Sequence, residues 1–162
     1  YYGGFSHRAG PVSPLLSSDT WGQESIETSV GYYLGLGMAP QKLIVGLPYY
    51  GAEWQTETLS IPSKSNKFIS HPAYSIIKHK YIDSLKVPVV YDKQSKSSYA
   101  AFMDSDSTYR QIWFSDSLSL ANKYDWVIQK GLGGVGIWAL GYDSGDLELW
   151  ELLYAKFGKP KQ

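Results

Sequence analysis

Two apolar patterns alternate along this chain. Ile26, Val30, Tyr33 and Leu34 recur at i, i+4, i+7 and i+8, which predicts one face of a helix, and Gly37 with Pro40 beyond it supplies a left-handed cap and a stop. Residues 43–47, Leu43-Ile44-Val45-Gly46-Leu47, then run apolar between Pro40 and Pro48, the pattern of a strand buried on both faces. The same grammar returns later. Ser117 is placed to cap a helix bearing Leu120, Tyr124, Val127 and Ile128, Gly131 ends it, and residues 135–139 again read as a buried strand. A third helix follows Asp146, with Leu149, Leu153 and Phe157 flanked by Trp150 and Tyr154 in a broad apolar stripe.

Between these units residues 55–112 are rich in Ser, Thr and Lys and contain strand-like pieces at 87–91 and 109–114. They read as an inserted α+β subdomain between flanking segments 1–54 and 113–162. Two buried strands and three helices are too few to close an eight-fold barrel, which takes about 250 residues, or to cover an open doubly wound sheet. Exposed ladder edges and apolar faces therefore require either further chain or a second copy to cover them.

Composition narrows the partner. Lys plus Arg and Asp plus Glu are matched at 15 each, so no net field draws nucleic acid or an acidic membrane surface, and an uncharged partner is expected. No run approaches the roughly 18 to 20 apolar residues of a membrane span. The 14 Tyr and 6 Trp suit packing and stacking on sugar faces alike. Without cysteine there is no disulfide framework or thiolate metal site, and His7, His71 and His79 lack metal-ligand spacing. Gly131-Leu132-Gly133-Gly134 precedes a strand, whereas phosphate loops follow one, so no cofactor is expected. A start at Tyr1-Tyr2-Gly3-Gly4 without an initiator Met reads as a cut, which leaves secretion open.

Three stretches carry a resemblance. Tyr1-Tyr2-Gly3-Gly4-Phe5 with Gly10-Pro11-Val12-Ser13-Pro14-Leu15 resembles the segment after the sixth barrel strand of family 18 glycoside hydrolases, the chitinase-type enzymes. Leu43 to Gly51, ending Pro48-Tyr49-Tyr50-Gly51, is similar to that family's seventh strand, and Gly131 to Leu140 to its eighth. The resemblance implies the C-terminal portion of a (β/α)8 TIM barrel, α/β in class, with the insertion between strand seven and its helix. It further implies a parent that cleaves chitin or related β-1,4-linked N-acetylglucosamine glycans by substrate-assisted retaining hydrolysis, outside the cell or in its envelope. The family's D-x-x-D-x-D-x-E motif, with its catalytic Glu, would precede residue 1, as would the Tyr and Asp of Met-x-Tyr-Asp. No catalytic residue is then expected in this chain, which alone would be inactive. A chitinase-like protein that binds sugar without cleaving it would look the same here.

By the same resemblance Trp138 would floor the pocket beneath the reacting sugar, and Tyr50 would offer its hydroxyl at the rim. Where the family commonly has Arg after its Tyr-Gly, this chain has Ala52, a missing polar contact. Trp54 and Tyr2 are flat loop residues suited to sugar stacking, and Arg110, with Trp113, falls where the insertion returns and would line the cleft's side. Each has a plainer reading as padding, core ring or salt bridge. Asp143, Asp146 and Glu148 spell D-x-x-D-x-E but lack the family motif's further carboxylate, and Asp146 is expected to cap the last helix.

Overall fold

The computed structural model describes residues 2–158; Tyr1 of the opening motif and the last four residues of the 113–162 segment lie outside them. In chain order the elements are β1 (Arg8–Ala9), α1 (Ile26–Gly35), β2 (Ile44–Pro48), β3 (Ala52–Thr56), β4 (Ser63–Ser70) and α2 (Tyr74–Ile76), which continues as a π-helical stretch (Ile77–Ser84). Then come β5 (Val89–Asp92), β6 (Ser97–Met103), β7 (Tyr109–Phe114), α3 (Ser117–Gln129), β8 (Gly134–Trp138) and α4 (Glu148–Phe157). The strands sort into two sheets. β2 and β8 pair in parallel, and the other six form a sheet in the order β1-β4-β3-β7-β6-β5, antiparallel throughout.

Local chemistry places the helices. Ser25 caps α1 by accepting from the Thr28 N–H, and Thr28 reciprocates to the Ser25 N–H; Gly37 follows at φ +86°, the left-handed geometry expected of it. On α3 the cap is Asp116 rather than Ser117: the Asp116 carboxylate accepts from the Ser119 N–H at 2.8 Å, leaving Ser117 as the first helical residue. Asp146 does not cap α4 either. Leu147 holds that position without a side-chain bond, and Asp146 turns toward α2.

The parallel pair buries one face, not two. Val45, Leu47 and Tyr49 pack against Leu120, Tyr124 and Val127 of α3 and Leu149 of α4, whereas Ile44 on the opposite face remains 60% exposed. The continuous apolar run satisfies two environments, a helix-covered side and an open side, and periodicity cannot tell the second from a buried one. Inside the first, the Tyr49 and Tyr124 hydroxyls meet at 3.2 Å and Tyr49 donates to the Leu149 carbonyl, so both phenols are buried with partners. Burial raises the pKa of each above the ordinary phenol value.

The large sheet begins at Ala52 and ends at Phe114, and the opening segment joins it, Arg8 opposite Lys64 and Ala9 opposite Ser63. Its alternation separates two layers. Ile112, Phe114 and Ala100 face the main core with Ile77 and Tyr81 of the α2 region. Trp54 and Trp113 face the opening segment, where Trp113 stacks on Tyr99 (4.6 Å, 20°) and meets Trp21 edge-on. The Trp21 indole N–H donates to Asp92 at 2.7 Å, fastening that segment to the far end of the sheet. Gly51 is needed for space rather than for a turn: a Cβ there would stand 2.7 Å from both the Trp113 carbonyl oxygen and Ile77 Cδ1.

Candidate functional site

Trp138 is the last residue of β8, in register with Pro48 of β2, and the peptide that follows it is cis. Alternation puts it on the face shared by Gly134, Gly136, Ile44 and Gly46, opposite the helix-covered face of Val135, Ile137, Val45 and Leu47. That shared face is open, and Trp138 is 68% exposed above neighbours with little or no side chain. The ladder extends one step further, since the Tyr49 N–H donates to the Trp138 carbonyl at 2.7 Å. A broad aromatic ring is thus presented by rigid backbone on a surface of glycines.

Tyr50, beyond the end of β2, is half-buried; it bridges to Ala73 and meets His71 and Tyr142 edge-on, at 5.6 Å and 6.4 Å between ring centroids. The rim thereby joins β2, the loop after β8 and the insertion. Tyr2 lies elsewhere, in the opening segment. Its ring covers Gly10, its hydroxyl donates to the Trp21 carbonyl and accepts from Arg8, and the Arg8 guanidinium lies over it. Trp54 is fully buried and packs edge-on against Phe68, so a ring expected to stack on a sugar has no open face. Trp113 is likewise closed in by Trp21 and Tyr99.

Arg110 projects from β7 on the layer that also carries Glu53. Its Nη2 is 3.2 Å from both Asp104 and Asp106, its Nε donates to the Thr108 hydroxyl, and Nη1 stands 4.0 Å from Glu53. It belongs to a salt-bridge network and at the same time lines a pocket of 630 Å³ with Glu53, His71, Lys80, Tyr81 and Tyr142. The Glu53 carboxylate accepts from the Tyr81 hydroxyl at 3.1 Å, and burial, with Glu53's charge second, pushes the Tyr81 pKa up. Glu53 is not among the candidates named from the sequence, yet a lone carboxylate inside the run Tyr49-Tyr50-Gly51-Ala52-Glu53-Trp54 is a visible signal for a buried acid needing a partner.

The acidic triplet after β8 has a structural occupation. Lys78 lies 3.5 Å from Asp146 and 3.2 Å from Glu148, His79 lies 2.7 Å from Asp146, and the Tyr74 hydroxyl donates to Glu148. Burial, with Glu148 second, raises the Tyr74 pKa. These contacts fasten the insertion's helix to the start of α4, a role for His79 that its sequence surroundings did not reveal. Among the described residues no cluster of His, Asp and Glu is arranged to hold a metal ion.

With this geometry in place, the chain can be set beside known proteins of similar sequence and fold. The family described as Glycosyl hydrolases family 18 matches residues 1–143. The chain belongs to this family. A cortical fragment-lytic enzyme of Bacillus anthracis is 29% identical over 124 residues, covering 74% of this chain and 26% of that protein. A probable endochitinase of Caenorhabditis elegans is 28% identical over 157 residues, covering 89% of this chain and 25% of its own. In fold, a family 18 chitinase from Cycas revoluta solved in complex with (GlcNAc)4 superposes with a TM-score of 0.83 at 21% identity, over 98% of this chain and 45% of that one. The chain therefore spans about a quarter of the length of these curated relatives and under half of the chitinase structure. Its fold is the C-terminal portion of a family 18 (β/α)8 barrel, β2 and β8 being two of its strands, with the α+β sheet inserted between β2 and α3.

Proposed function

We propose that this family 18 chain supplies one wall of the sugar-binding cleft of a hydrolase acting on chitin or related β-1,4-linked N-acetylglucosamine glycans. The observation that carries the reading is Trp138: a ring more than two-thirds exposed on an inflexible strand pair, over glycines, is a surface on which a pyranose face can stack. Tyr50 stands at the adjoining rim with a phenol to direct at the sugar. The parent would work by substrate-assisted retaining hydrolysis, in which the 2-acetamido oxygen attacks the anomeric carbon while a carboxylic acid protonates the leaving oxygen. That acid would come from outside this chain, which alone would bind without cleaving, and the parent would act outside the cell or in its envelope. The open face around Ile44 and Gly46, behind Trp138, would be covered by the remaining barrel strands or by a second copy, leaving the Trp138 ring at the rim for the sugar.

Calorimetric titration with N-acetylglucosamine oligosaccharides tests the reading. The chain should bind them, and Trp138→Ala should weaken binding at least tenfold without lowering the urea midpoint, because an exposed ring contributes little to folding. Binding that is indifferent to this substitution would refute the platform. Cleavage of a chromogenic chitobioside by the chain would refute its inactivity, and a parent that binds without turnover would be a carbohydrate-binding protein instead.

A further inference from the structure

The loop at residues 139–147, between β8 and α4, carries Tyr142, the ring that meets Tyr50 edge-on. Its own hydrogen bonds are short-range turns: the Tyr142 N–H donates to the Ala139 carbonyl, that of Ser144 to Gly141 and that of Asp146 to Asp143. Gly141 and Gly145 sit at φ +86° and +90°, the left-handed region that glycine enters freely. Such a chain of turns does not fix where Tyr142 stands; anchors from outside the loop do. One is the Ser75 N–H of α2, which donates to the Tyr142 carbonyl at 3.0 Å. Another is the contact of Lys78 and His79, on the π-helical continuation of α2, with Asp146.

The second anchor is incomplete until a proton is added. Lys78 sets one positive charge against the carboxylates of Asp146 and Glu148, at 3.5 Å and 3.2 Å, and Glu148 also accepts from the Tyr74 hydroxyl. Asp116 adds its negative field at Tyr74. Asp146 Oδ2 is buried and accepts no aligned hydrogen bond, yet His79 Nε2 stands 2.7 Å from it. A neutral imidazole turns toward that oxygen either one N–H dipole or, in the other tautomer, a lone pair; an imidazolium carries a proton on both nitrogens and a full charge. Left uncompensated, a buried carboxylate oxygen is costly. Protonation of His79 therefore balances the surplus negative charge at this junction. Imidazole is the side chain whose charge ordinarily changes between about pH 5 and 8, and the His79 side chain is 56% exposed, open to solvent protons.

We infer that His79 is a positioning residue for the sugar rim: protonated, it clamps Asp146, holds the 139–147 loop against the insertion's helix and thereby fixes Tyr142 beside Tyr50. It touches no sugar itself. The inference rests on the cleft reading above and adds a pH dependence to it. The sign follows from the charge. The clamp is fully present below the imidazole range and is lost as pH rises through it, so oligosaccharides bind more tightly at low pH, where the rim is already ordered.

Calorimetric titration of the 162-residue chain with an N-acetylglucosamine tetramer at about pH 5.5 and about pH 8 tests it. Affinity should be about two- to fivefold higher at the lower pH, the scale of a partly exposed ion pair, and the difference should vanish at about 1 M salt, where charges are screened beyond about 3 Å. His79→Gln should bind at the weaker value throughout, and His79→Arg, charged at both pH values, at the tighter value throughout. Amide exchange over residues 139–147 should be slower in His79→Arg than in His79→Gln, and equal protection in the two would refute the clamp. His7, His71 and Lys123 are present in every chain compared, so a pH profile owed to them would survive His79→Gln and overturn the inference. Trp138→Ala should weaken binding equally at both pH values. If it does so while His79→Gln keeps the wild-type profile, the clamp is refuted and the cleft reading stands. If no tetramer binds at either pH, both fall.

Discussion

Lys123 offers a measurable test of how this core is assembled. It lies inside α3 at 1% exposure, with Nζ 3.0 Å from the Ser115 hydroxyl. Burial pushes its pKa from 10.5 down to about 7, against the opposing pull of Asp116. In the unfolded chain the ordinary value returns. As pH falls from 10.5 toward 7 the unfolded state takes up a proton that the folded state refuses, so stability falls by up to about 1.4 kcal/mol per unit; below about 7 both states are protonated and the loss is complete, at about 5 kcal/mol. Lys123→Met removes this loss while leaving the buried Ser115 hydroxyl without its partner, a cost of about 1–3 kcal/mol. The variant should therefore be about 2–4 kcal/mol more stable at pH 7, with most of the advantage gone at pH 9. The buried tyrosines do not intrude: their raised pKa values preserve stability below about 10 and lose it only above. Urea midpoints of both proteins at pH 7 and pH 9 give the answer. Parallel pH dependence in the two proteins, or a variant less stable at pH 7, would refute the account.

Two stability predictions concern the strand–helix unit. Gly133→Ala would set a Cβ 2.3 Å from the Gln41 carbonyl oxygen, where backbone must move, while the Gly133 N–H is bonded to the Leu43 carbonyl; a loss of about 3 kcal/mol or more in urea unfolding is expected. Asp116→Ala removes the α3 cap and should cost about 1 kcal/mol, read from the same midpoint, whereas Ser117→Ala should cost far less.

The helices were legible because each states its own pattern: Leu120, Tyr124 and Val127 are spaced for one face, and that face is buried. Which residue caps was less so. Asp116 and Ser117 are both competent, and only the path of the chain out of β7 decides that Asp116 takes the Ser119 N–H. Within the insertion β5 and β7 were visible as β-branched and aromatic runs, while β4, Ser63-Lys64-Ser65-Asn66-Lys67-Phe68-Ile69-Ser70, is polar because it lies near the sheet edge and is partly solvated. The rings divided for a similar reason. Trp54, expected in a loop, lies within β3 sealed beneath Phe68, while Trp138 at the end of β8 stands open, since burial depends on what other segments place above each ring.

The sequence by itself determined the family and the alternation of helix and strand, because these are properties of short segments with recognisable periods and motifs. The tertiary structure alone decided that Trp21 ties the opening segment to Asp92, that Asp146 pairs with Lys78 and His79 instead of capping, and that Arg110 meets Glu53 across a pocket. Each of these brings together groups more than fifty residues apart, and such contacts arise from where the sheets and helices pack, which no local pattern of apolar and polar residues encodes.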